Sequence, residues 1–353
     1  MVFILKIIHV LSSLSIGGAE RFVLDLSKVQ IAKGDTVTVV TFGNRDDALV
    51  SLCESLSIKV HCLTGGIIAR NTQFRKAVSD SDVVHIHTPF ALRALLPVLF
   101  TLNQQIIYTR HGAMSMTSKQ WRLCHVLAKN VISHVSFVST EAMEVFARDQ
   151  SWCKIPHHVI ENGFDNENIT LSHPQKKKLK LGSVGRMVAL KGQTHLIQAL
   201  SALPVEYKQA ISIEFYGDGE ERKNLELTAS KCPDVEINFH GIVTDRDVIY
   251  NDIDILVVTS ETEGLSLAMI EAMSYHNPVI ASRVGGNPRL ALCGETGELF
   301  EYGDISKLSQ LIKYFYDNKC LVTSYGNNAA NLIAKNFSLA STADDYYRLY
   351  KST

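Results

Sequence analysis

Short runs of β-branched and aliphatic residues alternate with longer helix-period stretches along nearly the whole chain, and this alternation constrains the fold more than any other feature. In the first half ILKIIHVL, DTVTVVTF, SIKVHC, DVVHIH, QIIYTR and HVSFVS read as strands, with helices starting near Ala19, Phe90, Lys119 and Thr140. Nearly continuous apolar strands separated by crossovers are the signature of a parallel sheet covered by helices on both faces. The pattern breaks at ENGFDNENITLSHPQKKKLK, which holds Asn, Gly, Pro and the Lys176–Lys178 run with little to bury. It then resumes with LKLGSVG, ISIEFY, VEINFH, DILVV and PVIAS, the helices starting near Lys191, Glu220, Asp245, Gly264, Ile305 and Val322.

The expected architecture is therefore α/β, with two Rossmann-like doubly wound domains. The boundaries read as 1–163 for the first domain, 164–180 for a solvated linker and 181–339 for the second. Two such domains place a ligand cleft at the carboxyl ends of their sheets. At 353 residues, the length suits two domains.

Charge and motif content narrow the chemistry. Thirty-five Lys and Arg against 36 Asp and Glu give a formal net charge of −1, which disfavours a nucleic-acid partner. The seven cysteines form no CxxC pair and read as buried thiols of a reducing, cytoplasmic compartment. The apolar start MVFILKIIHVL carries Lys6 inside the run and no small-residue cleavage site, so it reads as a buried strand rather than a secretory signal. No run reaches the ~18–20 apolar residues of a membrane span. Neither half has GxGxxG after its first strand, and neither has a Walker motif, which disfavours nicotinamide enzymes and P-loop nucleotidases.

The most informative segment is SETEGLSLAMIEAMSY, residues 260–275, directly after the strand IDILVV. Its helix is apolar almost all round and should be buried, with Glu271 in the middle. A buried carboxylate needs donors: a vicinal diol such as a ribose 2′,3′ pair would serve, and so would an arginine in the core. Glu263 lies in the preceding loop, where Gly264 keeps the turn free of bulk. The N–H groups around Leu265, Ser266 and Leu267 are the unsatisfied donors of a helix start, a natural phosphate seat. Loop carboxylate, phosphate seat and buried carboxylate lie in line.

Glu263 and Glu271 stand eight residues apart in EGLSLAMIEAMSYHNPVIAS, and in this the chain resembles the family 4 glycosyltransferases of the GT-B fold, whose signature is Glu-x7-Glu at this strand–helix junction. The resemblance runs along nearly the whole chain. By it, the residues Arg186 and Lys191 of GRMVALKG are similar to a clamp that neutralises the donor diphosphate, where two cations can stabilise the leaving group without a metal. YGDG (216–219) and FHGIV (239–243) resemble loops lining the nucleotide pocket, Gly17 and Gly18 resemble an opening glycine loop, and His111 in YTRHG resembles an active-site histidine at a strand end. Apart from the resemblance, these would read as surface cations, turn glycines and a structural histidine. VGGNPR keeps paired glycines, Gly285 and Gly286, with Arg289 where an acidic residue is common, and Ser341–Tyr350 resembles a last helix returning to the first domain.

The resemblance implies a retaining transferase that moves a sugar from a nucleotide diphosphate sugar to an acceptor hydroxyl of a bacterial polysaccharide or lipopolysaccharide. It implies His111 and Glu263 as catalytic residues, with Gly17, Gly18, Arg186, Lys191, Gly264, Leu265, Ser266, Leu267 and Glu271 binding donor. No cofactor or metal is expected, since Asp80/Asp82 and Asp252/Asp254 read as polar strand starts. His85, His87, His157 and His158 read as structural. Partners are the nucleotide sugar and a glycan or lipid-linked acceptor. The basic helix around Trp121 reads as an ordinary amphipathic helix, although peripheral contact with an anionic inner-membrane leaflet through the first domain is allowed. Two other readings share the fold: a sugar-nucleotide epimerase and an inactive assembly subunit.

Overall fold

The computed structural model describes residues 4–112, 119–147, 152, 155–166, 169–172 and 177–352. The chain divides into two compact units, Met1–Gly163 with Leu339–Thr353, and Phe164–Ser338.

Unit 1 is a parallel sheet of β1 (Lys6–Leu11), β2 (Thr36–Thr41), β3 (Lys59–Cys62), β4 (Val83–Ile86), β5 (Gln105–Arg110), β6 (His134–Phe137) and β7 (His157–Val159), in the order 3-2-1-4-5-6-7. Helices α1 (Gly18–Ala32), α2 (Val50–Ser55), α3 (Ile67–Val78), α4 (Pro89–Leu99), α5 (Lys119–Ala128) and α6 (Thr140–Ala147) make the crossovers. The central strands are buried along nearly their full length because helices cover both faces. Thr88 caps α4, its hydroxyl accepting from the Ala91 N–H at 3.2 Å, and Pro89 at the first helical position loses no bond the helix would have made.

Unit 2 repeats the plan with β8 (Leu179–Val184), β9 (Ile211–Tyr216), β10 (Glu236–Gly241), β11 (Ile255–Val258), β12 (Val279–Ser282) and β13 (Gly297–Phe300), in the order 10-9-8-11-12-13. Its helices are α7 (Thr194–Ser201), α8 (Val205–Ala210), α9 (Arg222–Ser230), α10 (Arg246–Asp252), α11 (Leu267–Ser274), α12 (Asn287–Leu290), α13 (Ile305–Asp317) and α14 (Lys319–Asn336). In α13 the residues Leu308, Leu311, Ile312 and Phe315 form one buried face, and the Asp304 carboxylate caps its start on the Lys307 N–H. The final helix, α15 (Leu339–Lys351), belongs to unit 1 and packs against α1.

The same device starts the central strand of both sheets. Asp82 accepts the Lys6 N–H at 2.8 Å while Asp80 takes the Lys6 ammonium at 2.6 Å. Asp254 accepts the Lys180 N–H at 2.8 Å while Asp252 takes its ammonium at 2.6 Å. Each acidic pair begins the strand next to the lysine's own, so it fixes register.

Several expectations need correction. The span 164–180 is not a free linker. Phe164 bridges to Ser338, the Ser172 N–H donates to Asn251 at 2.9 Å, Lys178 pairs with Glu236 at 2.8 Å, and β8 already starts at Leu179. Ser172 and Lys178 thus bind to unit 2, while Thr170 and Lys177 are exposed; residues 167–168 and 173–176, Lys176 among them, lie outside the described residues. The cysteines are not uniformly buried: Cys53 is buried, but Cys293 and Cys320 are exposed, because they sit in a turn and at a helix start. Cys153 lies outside the described residues. Strands β7 and β13 and helices α2, α3, α8 and α12 escaped the sequence reading because they are short or weakly patterned; α3 buries only Phe74 and Val78. Helix α5 also departs from the ordinary amphipathic form. It turns His125 and Ala128 inward and leaves Leu123, Val126 and Leu127 exposed. The Trp121 side chain lies outside the described residues. No described helix is long and apolar enough to cross a membrane.

Candidate functional site

In unit 2 the loop leaving β11 is tied to the turn Ala189–Lys191 by two bonds. The Glu261 N–H donates to the Leu190 carbonyl at 2.8 Å, and the Thr259 hydroxyl donates to the Lys191 carbonyl at 2.8 Å. This approach requires Gly192, whose φ is +55° and where a Cβ would stand 2.5 Å from the Thr259 carbonyl oxygen. The fastening brings the Lys191 ammonium to 2.6 Å from Glu263 Oε1, and the Ser260 hydroxyl donates to the same oxygen at 2.7 Å. Lys191, Gln193, Ser260, Glu263 and Ser266 line one cavity. Ser266, which also lines the cavity, precedes α11 without a side-chain cap, so its hydroxyl satisfies none of the first N–H groups of that helix, which have no intrahelical acceptor.

Behind the loop, the paired glycines allow backbone to lie on backbone. The Gly286 N–H donates to the Gly264 carbonyl at 2.7 Å. At Gly285, φ is +49° and a Cβ would fall 1.9 Å from the Glu263 carbonyl oxygen. The VGGNPR segment thus holds the Glu263 loop in place through its glycines.

Glu271 lies in α11 and is buried. Arg246 reaches its Oε1 with Nε at 2.8 Å and Nη2 at 2.6 Å, and the Tyr250 hydroxyl donates to Oε2 at 2.5 Å. The carboxylate is therefore compensated inside the protein, and its burial alone does not point to a diol. Arg246 also stacks over Phe164, with the guanidinium carbon 4.9 Å from the ring centre.

Arg186 is exposed and makes no ion pair among the described residues. Tyr216 is buried, stacks on His240 at 4.4 Å and donates to Asp252 at 2.7 Å, so YGDG shapes backbone rather than offering side chains. The Gly217 N–H bonds the Gly241 carbonyl at 2.7 Å, which joins the YGDG and FHGIV loops.

In unit 1, Gly17 precedes α1 in extended conformation and Gly18 opens it, with the Glu20 carboxylate folded over Gly17 where any Cβ would clash. His111 follows β5 and packs on Phe22 of α1. Its Nε2 lies 3.0 Å from His87 Nδ1, His87 Nε2 lies 2.9 Å from His9 Nδ1, and His9 Nε2 lies 2.9 Å from Gln30 Oε1. A second branch runs from Gln30 Nε2 to the Tyr350 hydroxyl, on to His85 at 2.8 Å, and from His85 to Thr109 at 2.6 Å. Burial pushes His9 and His111 down to about 4 and lowers His85 and His87 well below their ordinary value, so all four are neutral near pH 7. Nδ1 of His111 is buried and has no hydrogen-bond partner among the described residues.

His9, His85 and His87 are close enough together to hold a metal, as are Glu214, His240 and Asp252. In the first group every ring nitrogen already has a protein partner, and in the second Lys180 bridges Glu214 and Asp252.

Two sequence models of known families match the chain, and they meet near the boundary between the units. The family described as Glycosyltransferase Family 4 matches residues 16–168, and that described as Glycosyl transferases group 1 matches residues 165–332. The chain is a glycosyltransferase. Among curated family members, a lipopolysaccharide core biosynthesis mannosyltransferase of Rhizobium leguminosarum is 26% identical over 58% of this chain and 62% of its own length. A capsular polysaccharide biosynthesis glycosyltransferase of Staphylococcus aureus is 25% identical over 80% of this chain and 82% of its own. Among solved structures, Anabaena HepE in complex with UDP and glucose superposes with a TM-score of 0.87 at 22% identity, covering 99% of this chain and 100% of that one. The fold is GT-B.

Three groups in this glycosyltransferase are not evident from the sequence. Arg246 was hidden because its partner Glu271 is 25 residues away on another helix. His9 and Gln30 carried no motif. His87 reads as structural from the sequence, and the structure adds that it bonds His111 directly. Polar residues in otherwise apolar strands beneath His111 were the available signal.

Proposed function

We propose that the chain is a retaining glycosyltransferase that transfers a sugar from a nucleotide diphosphate sugar to an acceptor hydroxyl in the synthesis of a bacterial polysaccharide or lipopolysaccharide. The observation that carries the reading is the cavity where Lys191 and Glu263 meet beside the uncapped start of α11. A cation, a helix N-terminus and a carboxylate together suit a sugar diphosphate: the first two take the phosphates and the third takes sugar hydroxyls. Arg186 adds a second cation, and with these charges in place the reading needs no metal. Glu271 already accepts from Arg246 and Tyr250, but a carboxylate offers about four lone-pair sites, which leaves capacity for a ribose hydroxyl. His111 serves a hydroxyl of the transferred sugar.

In the reaction the bond from the anomeric carbon to the diphosphate oxygen breaks and a bond to the acceptor oxygen forms. The acceptor proton passes to the leaving diphosphate, and retention follows if both events occur on one face of the sugar. The lipopolysaccharide and capsular relatives support the acceptor class, and the HepE complex supports UDP as the first base to try.

The test is calorimetry of UDP, GDP and ADP with the purified protein in chelator, beside Lys191→Ala. Binding of one nucleotide, weakened at least about tenfold in the variant (~1.4 kcal/mol), is the expected result. If none of the three binds, the donor-site reading fails and an inactive family member becomes the better description. Nucleotide release without any acceptor, together with an altered free sugar, would favour an epimerase.

A further inference from the structure

We propose that Gln30, His9 and His87 are positioning residues that hold His111 in its Nε2–H tautomer, so that its buried Nδ1 meets ligand as a hydrogen-bond acceptor and selects a hydroxyl donor.

Protons can be counted along one hydrogen-bonded row. A neutral imidazole carries one N–H and one lone pair, so a ring bonded through both nitrogens donates at one and accepts at the other. Gln30 presents its carbonyl oxygen Oε1 to His9 Nε2, and a carbonyl can only accept. His9 Nε2 therefore carries the proton and His9 Nδ1 is a lone pair. The ring facing it must donate, so His87 is protonated on Nε2 and bare on Nδ1. By the same step His111 donates from Nε2 to His87, and its remaining nitrogen, Nδ1, is a bare lone pair. That nitrogen is also the end of the row, and it has no partner among the described residues.

The orientation of the Gln30 amide sets the direction of the row, and its other end is engaged too. Its Nε2 donates to the Tyr350 hydroxyl, which lies 2.8 Å from His85 Nδ1; His85 in turn meets Thr109 at 2.6 Å. Turning the amide would reverse every proton from His9 to His111 and leave Gln30 Oε1 to accept from the Tyr350 hydroxyl, so the two arrangements are alternatives for the row as a whole. The His9, His85 and His87 rings also lie within about 5 Å of each other, centre to centre, which leaves little room for one to turn alone.

A bare Nδ1 rejects a carbonyl or phosphate oxygen and welcomes O–H. That the hydroxyl belongs to the transferred sugar rests on the glycosyltransferase reading; the tautomer does not.

The two are tested separately. Nitrogen-15 imidazole NMR of the ligand-free full chain, with His111 signals assigned by their loss in His111→Ala, reads the tautomer without any substrate. The expected result is a protonated Nε2 and a bare Nδ1 in wild type and in Gln30→Glu, which keeps an acceptor at this place, and a mixed tautomer in Gln30→Met. A protonated Nδ1 in wild type overturns the proposal, as does an unchanged tautomer in folded Gln30→Met; if Gln30→Met does not fold, the wild-type spectrum decides alone. In transfer assays, kcat/KM should fall roughly tenfold in Gln30→Met, about the worth of one hydrogen bond, and recover in Gln30→Glu, while nucleotide binding stays unchanged. Absence of transfer by wild type with any nucleotide sugar would sink the functional reading and leave the tautomer result standing.

Discussion

The Lys191 ammonium and the Glu263 carboxylate are in contact at 2.6 Å, and the Ser260 hydroxyl shares the same carboxylate oxygen. Both side chains are mostly shielded from water, at 31% and 11% exposure, so part of the lysine charge is spent on its neighbour. A diphosphate arriving at the α11 N-terminus therefore competes with Glu263 for Lys191. Glu263→Gln is expected to bind nucleoside diphosphate more tightly, by roughly threefold (~0.65 kcal/mol), while transfer slows because the sugar loses its carboxylate. Calorimetry beside steady-state rates checks both halves. Weaker diphosphate binding in the variant would mean that Glu263 helps hold the nucleotide rather than opposing it.

Gly285→Ala should damage the site without touching ligand. The position has φ of +49°, and the added methyl carbon would lie 1.9 Å from the Glu263 carbonyl oxygen, a backbone atom that cannot swing away. Strain of this kind costs on the order of 1–3 kcal/mol, and relief requires the Glu263 loop to shift. Thermal melting should show the loss in stability, and transfer should fall further than stability alone accounts for. A variant with wild-type melting and wild-type rates would show that the contact relaxes freely.

The parts of the fold that were legible in the sequence are those where one physical cause acts alone. A strand such as VVHI between two helix layers must be apolar on both faces, and β1, β4 and β8 were recognisable for that reason. The elements α2, α8 and α12 are four to six residues long and have no room for a period. In the site, the residue types at 191, 263 and 271 were readable, but not their partners. Glu271 was open between a diol and an arginine, and only the packing of α10 on α11 puts Arg246 there. The row from Gln30 to His111 joins a helix, the middle of β1 and the residues just after β4 and β5, and nothing local in the sequence ties those positions together.

The matched acidic pairs give a prediction about stability rather than catalysis. Asp254 accepts the Lys180 N–H at the start of β8, as Asp82 accepts the Lys6 N–H at the start of β1. Replacing either by Ala removes one hydrogen bond to a charged acceptor, which costs about 1.5–3 kcal/mol. Denaturant titration should show that loss for both, and nucleotide binding should be unchanged. Chelator should change neither protein, since these carboxylates already hold lysines; a chelator-dependent melting temperature would instead assign them a metal.

Acid should weaken unit 1 well before carboxylates begin to protonate. Burial pushes His9 and His111 down to about 4 from the ordinary 6.5, and their hydrogen-bond partners are neutral side chains. Between those two values the unfolded chain binds protons that the folded chain does not. Stability is therefore full above pH 6.5 and falls as the pH drops toward 4. By pH 5 one such histidine withdraws about 2 kcal/mol, and the row withdraws more than one histidine alone, since a proton on one ring discourages a proton on the next and keeps the folded state from taking up protons that the unfolded chain binds. Unit 2 has no comparable buried histidine cluster among the described residues. Denaturation followed at pH 7.5, 6 and 5 should therefore show an early transition that moves to lower denaturant with acid, ahead of a second that moves less. In His9→Gln, which removes one buried imidazole, the early transition should shift less with pH. Equal sensitivity in the variant would place the acid response elsewhere in the chain.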